Sequence, residues 1–159
     1  MIVANKFKSH PLELYTERVK TIRWFEENHP EDFDLYGIGW DKCNFEGILS
    51  RLNRFNALRR ILKPRYPSYK GPIKSKKEIY KKYKFAICYE NARNIPGYIT
   101  EKIFDCFFAG CVPIYWGAPN ITDHIPANTF IDKRNFKTYE KLYCYLKNMS
   151  DKEYLDYLV

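Results

Sequence analysis

YKFAICYENARNIPGYITEKIFDCFFAGCVPIYW, residues 83–116, contains two short apolar runs on either side of a segment with helical periodicity. The first run, 85–89, is continuously apolar and of strand length, which is typical of a parallel strand covered on both faces. The segment 100–110 is apolar around most of its girth and ends at a glycine, which predicts a buried helix. Because 112–115 then reads as a second strand, the stretch predicts a βαβ unit with a right-handed crossover.

Strand and helix patterns continue to alternate on both sides of this stretch. The further predicted strands are 2–4, 33–36 and 129–131, and the further predicted helices are 14–28, 50–62, 75–83, 120–124 and 138–148. Short loops between such elements predict an α/β fold, a Rossmann-like parallel sheet with helices on both faces. A chain of 159 residues is predicted to form one domain, 1–159.

The positive charge of the chain is concentrated in one stretch. The net charge is +8, yet residues 51–84 hold thirteen Lys and Arg against the single acid Glu78. That stretch therefore carries +12 and leaves −4 for the remainder. It is interpreted either as a solvated face or as a surface for a phosphate-bearing partner, which would be nucleic acid or a nucleotide-linked substrate.

Cysteine, histidine and hydropathy patterns point to no disulfide framework, metal site or membrane span. The five cysteines are odd in number, lack a CxxC pair and lie mostly in apolar segments, which predicts buried free thiols. The three histidines lack the spacing of a metal site. No apolar run approaches the roughly 20 residues of a transmembrane helix, and the first residues do not form a signal peptide.

A lysine at the start of the helix predicted from residue 100 breaks the usual charge pattern. Thr100 is predicted to cap this helix, and Glu101 suits the positive end of the helix dipole. Lys102 does not, and it is interpreted either as a mismatch that a surface helix tolerates or as a contact to a docked anion that meets both the ammonium group and the free amides. Ligands of parallel sheets bind at the carboxyl ends of strands, which are predicted at 37–40, 90–100 and 116–120.

A second cation lies where an apolar side chain is expected. Arg18 falls between Ile22 and Phe25 on the apolar stripe of the helix 14–28. One interpretation is that its side chain extends to solvent at the edge of the stripe. The other is a buried cation that requires an anionic partner.

Residues 83–132, YKFAICYENARNIPGYITEKIFDCFFAGCVPIYWGAPNITDHIPANTFID, resemble the donor-binding motif of the α1,3/4-fucosyltransferase family. That motif reads YKF, then FEN, then Gly/Asp-Tyr-x-Thr-Glu-Lys, then YWG-x-P, and Tyr89 replaces its phenylalanine. The resemblance extends more loosely through residues 13–40. It implies the C-terminal half of a GT-B glycosyltransferase, in which this domain binds GDP-fucose and an N-terminal acceptor domain, absent from this chain, supplies the general base.

The resemblance also assigns roles to individual residues. By motif position, Lys102 contacts the donor diphosphate and Glu101 accepts hydrogen bonds from the ribose hydroxyls. Arg18 is similar in placement to the helix arginine of the family that clamps the phosphates. The implied reaction inverts the fucose anomeric centre through an oxocarbenium-like transition state, and the two cations stabilise the leaving GDP without a required metal. The further donor-binding candidates at the end of the strand 85–89 and in the loop after it are Glu90, Asn91 and Tyr98.

Two alternatives stay open beside an α1,3-fucosyltransferase that uses GDP-fucose and a glycan acceptor. The chain is a donor-binding fragment without catalysis, or a nucleic-acid module that uses the basic stretch 51–84. Both ends of the chain read as truncated elements, so we expect the isolated fragment to be inactive. The expected location is cytoplasmic or membrane-associated for a bacterial protein and the Golgi membrane for a eukaryotic one.

Overall fold

The computed structural model describes residues 1–6, 8–43, 47–62 and 65–158. Its contacts separate into two compact units, Met1–Lys6 with Ile22–Ile73 and Phe7–Thr21 with Lys74–Val159. The helices are α1 (Tyr15–Asn28), α2 (Asn56–Ile61), α3 (Lys76–Tyr80), α4 (Glu101–Phe107), α5 (Tyr139–Asn148) and α6 (Asp151–Asp156). The strands are β1 (Leu35–Tyr36), β2 (Tyr69–Gly71), β3 (Phe85–Tyr89), β4 (Val112–Trp116) and β5 (Ile131–Asp132).

The first unit is built on a small parallel sheet. β1 pairs with β2 in parallel, and Ile2 forms a parallel bridge to Tyr36. The chain turns sharply after β1 at Gly37, which has a φ of 134° and lies so close to the Val3 backbone that no side chain would fit. This position therefore requires glycine. Beneath the sheet, the rings of Phe25 and Phe33 stack with centroids 5.0 Å apart.

The second unit contains the parallel sheet β3-β4-β5. β3 pairs with β4 in unbroken register from Phe85 opposite Val112 to Tyr89 opposite Trp116. β5 adds through Ile131 opposite Ile114. The bounds of β3 are those predicted from its continuous apolar run, and four of its five residues are buried.

Helices cover both faces of this sheet, as predicted. α4 packs against β3 and β4 on one face, where the thiols of Cys88 and Cys106 share a hydrogen bond. Tyr89 follows Cys88 along β3 and so points to the opposite face. Its hydroxyl lies 3.5 Å from the hydroxyl of Thr21 in α1.

The prediction that α4 is buried around its girth is wrong. Ile103 and Cys106 have no exposed surface, whereas Phe104 is 42% and Phe108 75% exposed. Residues three apart share a helix face, and only the face with Ile103 and Cys106 packs on the sheet. The exposed phenylalanines Phe104 and Phe108 made the apolar pattern extend around the helix, although their side chains are not buried.

Several predicted bounds also differ from the structure. The helix predicted over 50–62 is a 3₁₀ segment, Gly47–Arg54, followed by α2, and the one predicted over 120–124 is the 3₁₀ turn Ile121–Asp123. The last predicted strand, 129–131, starts later at Ile131 because Ala127–Thr129 forms a 3₁₀ turn. Both the amide and the hydroxyl of Thr129 donate to Pro126 O, which holds that turn out of the sheet.

Candidate functional site

A buried carboxylate stands at the carboxyl end of β3. Glu90 has no exposed surface, and its amide continues the strand pairing by donating to Trp116 O at 2.8 Å. Its Oε1 accepts from the Thr100 amide at 2.8 Å, and its Oε2 accepts from the Thr100 hydroxyl at 2.7 Å and from Lys102 Nζ at 3.0 Å. A carboxylate is stable without water only with such partners. Both carboxylate oxygens of Glu90 are thus occupied within the chain, and a donor contact of Glu90 stays a prediction.

The anion predicted beside Lys102 is, within this chain, the carboxylate of Glu90. Lys102 Nζ also donates to Thr100 Oγ1 at 2.7 Å, and its side chain keeps 20% exposure. Thr100 lies at the predicted N-cap position of α4, but its hydroxyl makes no cap hydrogen bond, because it is hydrogen-bonded to Glu90 and Lys102. A diphosphate contact of Lys102 stays a prediction.

Arg18 is a buried cation, not one that reaches solvent at the edge of the stripe. It is 4% exposed, and its guanidinium donates to Tyr89 O at 2.7 Å and to Asn91 Oδ1 at 3.0 Å. Burial lowers the pKa of Arg18, while the nearby Tyr15 and the Glu90 charge act to raise it. Both hydrogen bonds go to neutral oxygens, so α1 brings a positive charge to the end of β3.

Glu101 is the exposed carboxylate of this region. It occupies the first turn of α4 with its side chain 65% exposed, 3.9 Å from Lys102 Nζ and 3.8 Å from Lys76 Nζ. Burial acts to raise the pKa of Glu101, but the charges of Lys102 and Lys76 and hydrogen bonds from the helix start outweigh it and hold the pKa below its ordinary value. Glu101 is therefore ionised and open to solvent.

The loop between β3 and α4 is fixed by the backbone. Asn91 O accepts from the Leu14 amide at 2.9 Å, which ties the loop to the residue before α1. The Gly97 amide donates to Asn120 Oδ1 at 2.8 Å, and Gly97 has a φ of 70°. Tyr98 O lies 3.5 Å from the Tyr115 hydroxyl. The predicted residues Asn91 and Tyr98 thus lie on a loop held at both ends.

Sequence reasoning missed the role of Gly117, which follows β4. A Cβ built there would stand 2.5 Å from Glu90 Cγ and 2.8 Å from Tyr115 Cζ. The Tyr115 hydroxyl in turn accepts from the Ala118 amide at 3.0 Å. Glycine is therefore needed at position 117 for Glu90 to fit at the strand end. The sequence feature that could have indicated this is the position of Gly117 directly after a buried strand.

A cavity of ≈ 400 Å³ lies at the carboxyl ends of β4 and β5. Sequence reasoning missed it, although the pair Lys133-Arg134 directly after β5 was a signal. Lys133 Nζ donates to Phe136 O at 3.0 Å and lies 4.9 Å from the Tyr139 ring centre. Burial lowers the pKa of Lys133, and Glu17 and Asp132 act against it. The lining residues are Glu17, Trp116, Lys133, Arg134, Phe136, Lys137, Thr138 and Tyr139.

The described ranges contain neither a group of metal-ligating side chains nor a membrane-spanning helix. Across residues 1–6, 8–43, 47–62 and 65–158, no three His, Cys, Asp or Glu side chains are grouped so as to hold a metal ion. No helix in the same ranges has the length and apolar character needed to cross a membrane.

The family model for glycosyltransferase family 10 (fucosyltransferase), C-terminal part, matches residues 50–159. The α-(1,3)-fucosyltransferase of Helicobacter pylori is 36% identical over 88 residues, 54% of this chain and 18% of that protein. The α-(1,4)-fucosyltransferase of Arabidopsis thaliana is 39% identical over 69 residues, 43% and 17% of the two chains. The GDP-fucose protein O-fucosyltransferase 3 of Gallus gallus is 38% identical over 84 residues, 51% and 18%.

Solved structures agree with the predicted fold class. A crystal structure of an α1,3-fucosyltransferase with GDP-fucose matches 96% of this chain and 46% of its own, with a TM-score of 0.51 and 26% identity. Another, with GDP, matches 96% of this chain and 49% of its own, with a TM-score of 0.52 and 23% identity. These matches confirm the α/β fold with parallel strands, and the chain spans about half of those solved chains.

Proposed function

We propose a donor-binding function for this chain, which belongs to glycosyltransferase family 10, the fucosyltransferases, by its match over residues 50–159. The proposed donor is GDP-fucose, which a matching solved fucosyltransferase contains. The proposed reaction is fucose transfer to a glycan hydroxyl in α1,3 linkage, the linkage named for the Helicobacter pylori relative. Family membership favours a nucleotide-linked sugar over nucleic acid as the phosphate-bearing partner.

The observation that carries the proposal is the pair of cations fixed at the end of β3. Arg18 from α1 binds Tyr89 O and Asn91, and Lys102 from α4 binds Glu90. Lys102 lies near the carboxylates of Glu90 and Glu101, whereas both hydrogen bonds of Arg18 end on neutral oxygens. In the part of the chain that the structure describes, the Arg18 charge therefore has no hydrogen-bonded carboxylate, and it suits an anionic ligand at the strand ends, where ligands of parallel sheets bind.

The half-buried residues of the loop and the exposed Glu101 of α4 complete the proposed donor site. We assign the ionised Glu101 carboxylate to the ribose hydroxyls, because it accepts hydrogen bonds and faces solvent. Asn91 and Tyr98 are assigned to the diphosphate and fucose, since both lie on the fixed loop between the two cations. Arg18 and Lys102 are assigned to the diphosphate.

This arrangement suits a displacement in which GDP leaves. Negative charge grows on the leaving phosphate as the bond to fucose breaks. Cations already fixed at that position stabilise the transition state more than the ground state and do not need to reorganise. An acceptor hydroxyl attacks the opposite face of the anomeric carbon, with inversion, and a general base outside this chain removes its proton.

The test is calorimetric titration of the purified chain with GDP, GDP-fucose and UDP. We expect binding of both guanosine ligands and much weaker binding of UDP. Substituting Glu101→Ala removes an exposed side chain, so folding is retained, and the affinity for GDP is expected to fall about tenfold or more with the loss of a charged hydrogen bond. No preference for GDP over UDP would contradict the proposed donor.

Glu140→Ala is the matched control for Glu101→Ala. Glu140 is an exposed acid in the first turn of α5, as Glu101 is in the first turn of α4, so both substitutions remove a similar helix-dipole interaction. We expect wild-type GDP affinity for Glu140→Ala. Equal losses in the two variants would mean that Glu101 acts only through general charge or helix stability, and the ribose assignment would be wrong.

A further inference from the structure

The buried contacts of Glu90 give it a role different from ligand binding. We propose that Glu90 is a positioning residue that holds Lys102 where it meets the donor diphosphate, an inference that rests on the proposed function. Glu90 has no exposed surface, whereas Lys102 is part-exposed. A group with no surface reaches the ligand only through a neighbour, and the charged neighbour that it binds is Lys102.

Glu90, Thr100 and Lys102 form a closed triangle of hydrogen bonds. The Thr100 hydroxyl donates to Glu90 Oε2 at 2.7 Å and accepts from Lys102 Nζ at 2.7 Å, and Lys102 Nζ donates to the same Glu90 oxygen at 3.0 Å. An ammonium group has three N–H donors, and this triangle uses two. The direction of the third is then fixed, and we assign that donor to the diphosphate.

The triangle is anchored to the sheet. The Glu90 amide is paired with Trp116 O, so the carboxylate starts from a strand position, not from a loose loop. Gly117 leaves the space that the Glu90 side chain occupies. The second carboxylate oxygen binds the Thr100 amide at 2.8 Å and thereby sets where α4 begins. The sheet thus fixes the position of Glu90, and Glu90 in turn fixes the position of the Lys102 ammonium group.

Two physical effects of Glu90 oppose each other, which makes the proposal testable. As a nearby negative charge, Glu90 repels a diphosphate, so its neutralisation in Glu90→Gln would strengthen GDP binding if charge alone mattered. As a positioning group, Glu90 orders Lys102, so the same substitution weakens GDP binding because the ammonium loses its fixed direction. The sign of the change separates the two roles.

The experiment titrates GDP and guanosine into the wild-type chain, Glu90→Gln, Lys102→Met and the double variant. We expect Glu90→Gln to weaken GDP by about tenfold or more and to leave guanosine unchanged. In the Lys102→Met background, Glu90→Gln should have no further effect on GDP, because the residue that it positions is gone. Tighter GDP binding by Glu90→Gln, an equal loss for guanosine, or additive effects in the double variant would each overturn the proposal.

Thr100→Val and Thr100→Ser keep the proposal testable if Glu90→Gln does not fold. Valine removes the hydroxyl that joins Glu90 to Lys102 but keeps the shape, whereas serine retains the hydroxyl. We expect selective loss of GDP affinity in the valine variant and near wild-type affinity in the serine variant. Wild-type GDP binding by Thr100→Val would overturn the proposal. Absence of GDP binding by the wild-type chain would instead refute the proposed function.

Glu26→Gln is the matched control for a buried Glu–cation pair. The Glu26 side chain is 5% exposed, accepts from the Ser68 amide and hydroxyl, and lies 2.8 Å from Nη1 of the part-exposed Arg23. It belongs to the first unit and not to the donor loop. We expect this variant to lose stability without losing GDP affinity relative to guanosine. A selective loss of GDP affinity in Glu26→Gln as well would overturn the special role of Glu90.

Discussion

Substituting Gly117→Ala tests the packing that holds Glu90 at the strand end. The added Cβ would lie 2.5 Å from Glu90 Cγ, whereas carbon atoms in contact normally stand about 3.5 Å apart. The same Cβ would lie 2.8 Å from Tyr115 Cζ, so it cannot turn away from Glu90, and Glu90 must move by about 1 Å. A shift of that size is enough to break the 3.0 Å hydrogen bond between Glu90 Oε2 and Lys102 Nζ.

The expected cost of Gly117→Ala follows from this steric conflict alone. Gly117 does not adopt a positive φ, so alanine adds no backbone strain there. Overpacking of a closed site destabilises by about 1–3 kcal/mol. For a chain of this size that is a fall in Tm of about 2–12 °C. We also expect GDP affinity to fall about tenfold, since Lys102 loses its anchor.

Calorimetric unfolding and GDP titration of Gly117→Ala measure both effects, and Gly110→Ala is the control. A Cβ at Gly110 meets no atom within 4 Å, but its φ of 69° is unfavourable for alanine. We expect Gly110→Ala to cost about 1–2 kcal/mol and to leave GDP affinity unchanged. Wild-type Tm and GDP affinity in Gly117→Ala would refute the close packing of Gly117 against Glu90.

Three further predictions concern the remainder of the second unit. Thr138→Ala removes the hydroxyl that accepts from the Lys141 amide at 3.2 Å, so α5 should lose about 0.5–2 kcal/mol in urea unfolding, while an unchanged midpoint would contradict the cap. Burial raises the pKa of Tyr139 to about 12, so the stability that this residue contributes is full below pH 10 and is lost as the pH rises toward 12. In an absorbance titration, Tyr139→Phe should lack a tyrosine ionisation that the wild-type chain shows near pH 12. A tyrosine ionisation near pH 10 that disappears in Tyr139→Phe would contradict this prediction. Iodoacetamide at pH 8 should label the exposed Cys144 first. Without denaturant, peptide mass mapping should find that the buried thiols stay unlabelled, namely Cys88, Cys106 and Cys111.

The part of the fold that sequence predicted best is the part set by local patterns. The run 85–89 is apolar at every position, which is typical of a strand covered on both faces, and β3 has the predicted bounds. Periodicity also predicted α4 but not which of its faces is covered, because the exposed Phe104 and the buried Ile103 are both apolar. Which helix face is buried depends on tertiary packing, and an apolar pattern around the whole helix does not indicate it.

At the candidate site, too, local sequence patterns indicated which residues are unusual but not which distant residues they contact. The charge pattern left open whether an anion lies beside Lys102, because the carboxylate that meets it is Glu90, twelve positions earlier, which reaches Lys102 only where the loop folds back. Thr100 occupies the predicted N-cap position of α4, but its hydroxyl accepts from Lys102 Nζ and donates to Glu90, so it accepts no hydrogen bond from the first helix amides. The buried state of Arg18 was one of two interpretations of its stripe position, and its contacts at the end of β3 decide between them.

The most direct test of the account is the structure of this chain with GDP bound. The account predicts a diphosphate oxygen at about 2.7–2.9 Å from Lys102 Nζ, with the triangle to Thr100 and Glu90 intact. It also predicts the Glu101 carboxylate on the ribose hydroxyls and Arg18 facing the same diphosphate. GDP bound with its diphosphate away from Lys102 and Arg18 would contradict the central claim that these two cations form the donor site.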